Sequence, residues 1–173
     1  PFVDQYNRSN ESLNTRVNSL VWKPKSGLEA YNAFPYTQNL TPFQHSLALS
    51  KTSNFKLLKQ TPYVNEEVRK MGVKAIEVSE MGKRNYPDFL ALTFYAGNFE
   101  NALDKNYSIE IQDIYTRLDQ DIAHVIDAVD KAVGIDNALI FVVSTGYFNE
   151  QEVYPKDARF PGGDFRPDRC EAL

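Results

Sequence analysis

Between Ser108 and Val133 the apolar residues Ile111, Ile114, Leu118, Ile122, Val125, Val129 and Val133 recur at intervals of three and four. That spacing predicts a helix of roughly seven turns with one buried face. Gly134 follows at the position where a helix end favours a left-handed residue. A second helical pattern, Val68, Met71, Ala75, Ile76, Val78 and Met81, opens at Asn65-Glu66-Glu67 with an N-cap residue and early acids. It closes at Gly82, beside Lys83 and Arg84.

Elsewhere the pattern changes from periods to runs. Asp88–Tyr95 and Ala138–Ser144 are apolar nearly throughout, as parallel strands covered on both faces are. Phe55-Lys56-Leu57-Leu58-Lys59 predicts a short strand, stopped by Thr61-Pro62. The order β-α-β-α-β with right-handed crossovers predicts an α/β fold, a mainly parallel sheet flanked by helices. Residues 1–45 differ: rich in Asn, Ser, Tyr and Pro, they carry one helical stretch, Ser9–Leu20, with Leu13, Val17 and Leu20 as its stripe. The rest, including Trp22-Lys23-Pro24 and Phe34-Pro35-Tyr36, reads as an aromatic-studded loop covering a core. The expected organisation is an irregular insertion or cap over 1–45 and an α/β core segment over 46–173.

Composition narrows the function classes. A chain of 173 residues fits one domain, and a net charge of −4 gives no reason to expect nucleic acid or an anionic membrane as partner. No apolar run approaches the length of a transmembrane span. The single cysteine, Cys170, allows no disulfide framework and reads as an incidental thiol. The chain opens at Pro1 without a Met or a signal peptide, and Pro167-Asp168-Arg169-Cys170-Glu171-Ala172-Leu173 reads as the first turn of a helix. Both ends lead to the expectation of an incomplete part of a larger domain.

Several strings, in order, carry a family resemblance. They are Thr61-Pro62-Tyr63-Val64-Asn65, Asp88-Phe89-Leu90-Ala91-Leu92-Thr93-Phe94, Tyr115-Thr116-Arg117-Leu118-Asp119-Gln120-Asp121-Ile122 and Asp130-Lys131-Ala132-Val133-Gly134. Together they resemble the alkaline phosphatase superfamily, in the bacterial branch related to nucleotide pyrophosphatases and phosphodiesterases that is common among Bacteroidetes. The resemblance implies the α/β fold and, in active members, two zinc ions about 4 Å apart that clamp a phosphoryl group for attack by Thr or Ser. It implies ligands at two places in this stretch: an Asp-x-x-x-His after the first strand and an Asp-His-Gly after the next. Aligned without gaps, Asn98 and Ala102 stand for the first pair, and Gly146, Tyr147 and Phe148 stand in the second triplet. Ala and Gly bring no donor group, and a Tyr phenol is protonated near neutral pH. The former metal pocket is then expected to be lined by Asn98, Phe99, Tyr147 and Phe148, an aromatic cavity suited to a small molecule or peptide.

Other candidate groups are weaker. Glu100 and Asp104 offer carboxylates near the first turn but read as solvated loop charges. Of the two histidines, His45 lies outside the usual ligand set and His124 sits within the long helix. Ser144-Thr145-Gly146 offers hydroxyls without a base, Pro161-Gly162-Gly163-Asp164 is a turn without phosphate-loop flanks, and the Asn-x-Ser/Thr triplets at Asn7, Asn10, Asn39 and Asn106 carry no weight.

The expected function is therefore a degenerate, non-catalytic alkaline-phosphatase-like domain without a metal cofactor. It would bind an unidentified protein or small molecule, or serve a structural role, in the periplasm or cell envelope by resemblance. The alternative is a zinc-dependent phosphomonoesterase or phosphodiesterase holding two Zn ions, its site completed by other segments.

Overall fold

The computed structural model describes residues 2–31, 42–49, 54–97, 99 and 109–146. In chain order it holds α1 (Phe2–Asn7), α2 (Leu13–Arg16), β1 (Val21–Trp22), β2 (His45–Ser46), α3 (Asn54–Leu58), α4 (Pro62–Val78) and α5 (Ile109–Val133), with short 3-10 turns between them.

The long helix forms where its periodicity places it. Gly134 ends α5 with φ at 82°, its N–H donating to the Asp130 carbonyl at 2.8 Å, while the Asp130 carboxylate accepts from the Ile135 N–H. α4 starts one turn earlier than the acidic run suggests. Pro62 fills its first turn, where a missing N–H leaves nothing unpaired, and Thr61 is the N-cap. Asn65, expected as the cap, lies inside the helix and is fully buried. Its side chain acts as a neighbouring strand would: Nδ2 donates to the Tyr95 carbonyl at 2.8 Å and Oδ1 accepts from the Tyr95 N–H at 2.7 Å. The helix stops at Val78, before Gly82, through Glu80 (φ 49°) and Gly82 (φ 75°).

The chain then runs back along α4. The Gly82 N–H donates to the Asp88 carboxylate, Leu92 lies so close to Gly72 that a Cβ there would stand 2.8 Å from its Cδ1, and Tyr95 meets Asn65. From Gly72 to Asn65 the helix rises about 10 Å, and Leu92 to Tyr95 covers about the same distance as extended chain. Exposure alternates along it, with Leu90, Leu92 and Phe94 half-buried and Phe89, Ala91 and Thr93 exposed. α5 returns in the direction of α4: Arg69 meets Asp121 near the middle of both, and Gly82, just past the end of α4, meets Val133 at the end of α5.

The sheet departs from expectation. Among the described residues the paired strands are β1 and β2, antiparallel, with Val21 opposite Ser46 and Trp22 opposite His45. The expected parallel sheet is not formed there: Asp88–Tyr95 and Ala138–Ser144 make no ladder, having no strand beside them, and Leu139, Phe141, Val142 and Val143 are each at least 76% exposed. The segment expected as a third strand, from Phe55 to Lys59, forms α3 instead. Without a strand alongside, its backbone bonds close locally (Lys59 N–H to the Phe55 carbonyl, 3.3 Å), and Leu57 and Leu58 are both buried, where a strand would alternate them. The helix expected over Ser9–Leu20 is also broken. Ser9 turns back on the Tyr6 carbonyl, Ser12 is extended, and only Leu13–Arg16 is α-helical before a 3-10 turn over Val17–Ser19.

The core gathers Val17 and Trp22 with Leu47, Leu57, Leu58, Phe99 and Ile114. Replacing Asn65 by Leu keeps the bulk but removes both Asn65 hydrogen bonds to the Tyr95 backbone. We expect a loss of about 1–3 kcal/mol in urea unfolding; an unchanged midpoint would show that the Asn65 pairing holds nothing in place.

Candidate functional site

Of the five positions aligned with the family's metal-site strings, Gly146 is the one described, and it lies in the open, with no atom within 4 Å of where a Cβ would stand. Asn98, Ala102, Tyr147 and Phe148 lie outside the described residues, as do Glu100, Asp104, Cys170 and Pro161–Asp164. Phe99 requires a correction. Expected to line a pocket, it is 1% exposed and sits in the core, edge-on to Trp22 at 5.1 Å. An apolar ring between polar neighbours found more area to bury inward than a cavity would offer. Ser144 and Thr145 are exposed, and Ser144 hydrogen-bonds only its local turn, with Gly146. Among the described residues no group of three or more His, Cys, Asp and Glu side chains stands ready for a metal ion.

What the structure does assemble is a polar row on α5: Glu110, Asp113, Arg117, Asp121 and His124, spaced by three and four beside the apolar stripe. Asp113 is its centre. Fully buried, its carboxylate accepts from Trp22 Nε1 at 2.6 Å, the Lys25 N–H at 2.8 Å, the Tyr31 hydroxyl at 2.8 Å and Arg117 Nε at 2.7 Å. Burial pushes the Tyr31 phenol up from its ordinary value, keeping it a neutral donor. Arg117 reaches on to the Lys23 carbonyl at 3.0 Å.

One turn towards the start of α5, Glu110 pairs with His45 Nε2 at 3.0 Å. The imidazole stacks on Phe43 (5.0 Å, 20°) and tilts against Phe99 (4.4 Å), while Trp22 meets Phe43 edge-on. His45 thus has a structural role, tying β2 to α5. Towards the helix end, Asp121 pairs with Arg69 Nε at 2.7 Å; burial pushes its carboxyl up, against the pull of Arg69. On α4, Glu67 receives Arg16 and the Tyr6 hydroxyl, and burial followed by Glu67 raises the Tyr6 phenol to about 12.

Two hollows border this row. One, about 480 Å³, is an open cleft between Lys23–Leu28 and Pro42–Gln44. The other, about 180 Å³, is a groove between α4 and α5 with Tyr63, Glu66, Arg69, Arg117, Asp121 and His124 on its walls and Lys25 at its rim. Sequence reasoning noted Trp22 and His124 but missed Asp113, Lys25 and Arg69. The available signal was a row of charged residues at helical spacing flush with an apolar stripe.

The chain is similar to alkaline phosphatase PafA of Elizabethkingia meningoseptica, 29% identical over 140 residues, covering 81% of this chain and 23% of that protein. It is similar to alkaline phosphatase PhoV of Synechococcus elongatus, 25% identical over 133 residues, covering 71% of this chain and 24% of that protein. A protein named calcium-transporting ATPase from Myroides odoratus is 32% identical over 96 residues, or 54% of this chain and 18% of its own. The chain spans about a quarter, or less, of the length of these curated relatives. No family model matches it, and no solved structure does. Over most of its length, then, the sequence is alkaline-phosphatase-like.

Truncating Asp113 to Ala would leave the Trp22 N–H unpaired in the interior and take from Arg117, Tyr31 and the Lys25 N–H their shared acceptor. We expect a loss of about 3–5 kcal/mol in chemical unfolding. A loss below about 1 kcal/mol would remove Asp113 from the centre of this account.

Proposed function

We propose that this chain is part of an alkaline-phosphatase-like protein that has lost the family's two-metal chemistry and serves as a binding or structural module in the cell envelope. The observation that carries the reading is the donor set. At the positions aligned with the two ligand pairs stand Asn98, Ala102, Gly146 and Tyr147; Ala102 and Gly146 have no donor atom in the side chain, so this set does not fit a pair of zinc ions.

We also propose that Asp88–Tyr95 and Ala138–Ser144 are strands of a parallel sheet completed by other parts of a larger domain. Two things support this. The first segment lies extended between helices that run the same way, as a β-α-β-α unit requires, and the second exposes an uncharged apolar run that solvent disfavours. In this piece alone, amide hydrogen exchange over Ala138–Ser144 is expected to be fast. In a chain of the relatives' length it is expected to slow by orders of magnitude, and equal exchange in both would remove the sheet from the proposal.

A second reading is favoured by two of the relatives, PafA and PhoV, both alkaline phosphatases. In it, zinc ligands from outside this stretch rebuild a site for phosphate ester hydrolysis. Zinc content separates the two. Protein purified without chelator and supplied with excess zinc is expected to retain none and to leave nitrophenyl phosphate intact; about two tightly held ions per chain with turnover would sink the non-catalytic reading. No described helix is long and apolar enough to cross a membrane.

A further inference from the structure

We propose that the groove between α4 and α5 binds a tetrahedral oxyanion of the phosphate class, as the free ion or as a small phosphate monoester. The site is separate from the aligned metal positions and does not depend on whether the chain hydrolyses esters.

The argument begins with which charges are already engaged. The groove is lined by three cations, Lys25, Arg69 and Arg117, against two carboxylates, Glu66 and Asp121. Both carboxylates have partners: Asp121 takes Arg69 Nε at 2.7 Å, and Glu66 takes Lys70 Nζ at 2.7 Å. The donors are not exhausted in the same way. Arg69 uses only Nε in that pair, which leaves its two Nη groups. Arg117 uses Nε on Asp113 and Nη2 on the Lys23 carbonyl, which leaves Nη1. Lys25 is fixed by its backbone, whose N–H donates to Asp113, and its ammonium has no partner among the described residues.

The groove therefore presents N–H donors in excess, some of them on two guanidinium groups already held by part-buried bonds to Asp121 and Asp113. Ordered guanidinium edges suit phosphate because their planar fork matches two oxygens at once, and little further side-chain freedom is lost on binding. The groove also opens against the first turns of α4, the positive end of that helix. Its volume, about 180 Å³, is several times the roughly 30 Å³ occupied by one water, so an oxyanion enters with a partial water shell. It is below the about 300–1,000 Å³ of ordinary small-molecule pockets, which argues for an ion or a short monoester over a nucleotide.

The test is calorimetric titration of the full chain, at low ionic strength, with inorganic phosphate and separately with O-phosphoserine. One saturable site is expected. Lys25→Glu is expected to weaken it at least tenfold and Lys25→Gln by a smaller factor, with Trp22 emission and the thermal midpoint unchanged in both. Saturation by inorganic phosphate assigns the free ion, and saturation by phosphoserine alone assigns a monoester. Binding abolished by chelator but indifferent to Lys25→Glu would place the anion on a metal and overturn the inference. So would the absence of saturable binding, or a change below twofold in the Lys25→Glu chain.

Discussion

A carboxylate without water around it must be met by donors, and Asp113 is met by four. That requirement organises the dense end of the molecule. It fixes Trp22, whose ring is the largest fully buried side chain, against the first turns of α5. It holds the Lys23–Lys25 backbone and Tyr31, which have little regular structure of their own, and it orients Arg117. The His45–Glu110 pair and the aromatic stack around it occupy the next turn of the same helix face. The groove between α4 and α5 begins where Arg117 leaves Asp113.

The opposite end is made differently. Beyond Asp121 the apolar stripe of α5 is only half-buried, because the cover among the described residues is α4. Past Gly134 the chain passes into Leu139–Val143, where Ile140 is partly covered and the other four side chains are largely bare among the described residues. The same contrast appears along Asp88–Tyr95, where one row of side chains rests on α4 and the other is bare. The sequence predicts both runs as covered strands; among the described residues they carry the largest apolar exposure. The relatives, of which this chain spans about a quarter, give the scale of what such a cover would involve.

The two long helices were legible because their periodicity is local: Ile111 through Val133 states its buried face without reference to anything else. Phe55–Lys59 was misread because a run of five residues says little about its partners, and adjacent Leu57 and Leu58 suit a helical turn docking on a core as well as a strand. Asn65 looked like a cap because Asn often is one; only the path of Tyr95 shows that it substitutes for a strand. The polar centre was hidden for a similar reason. Trp22, Lys25, Tyr31 and Asp113 are brought together by folding alone, and Phe99 gave no sign of which way it would turn.

The span between Trp22 and Asp113 has a consequence in time. The two are 91 residues apart, and at about 5–20 residues per second a ribosome needs on the order of 5–20 s to make that stretch. For all of that interval the indole has emerged without its acceptor, and the Lys23–Lys25 backbone lacks the carboxylate that holds it. Helices can form within microseconds of leaving the tunnel, so α4 is available early, with Tyr6, Arg16 and the Leu92–Tyr95 segment to dock on it, but the face it turns to α5 stays bare until α5 appears. The amino-terminal third of this chain is therefore a late-setting part of the fold, although it is made first.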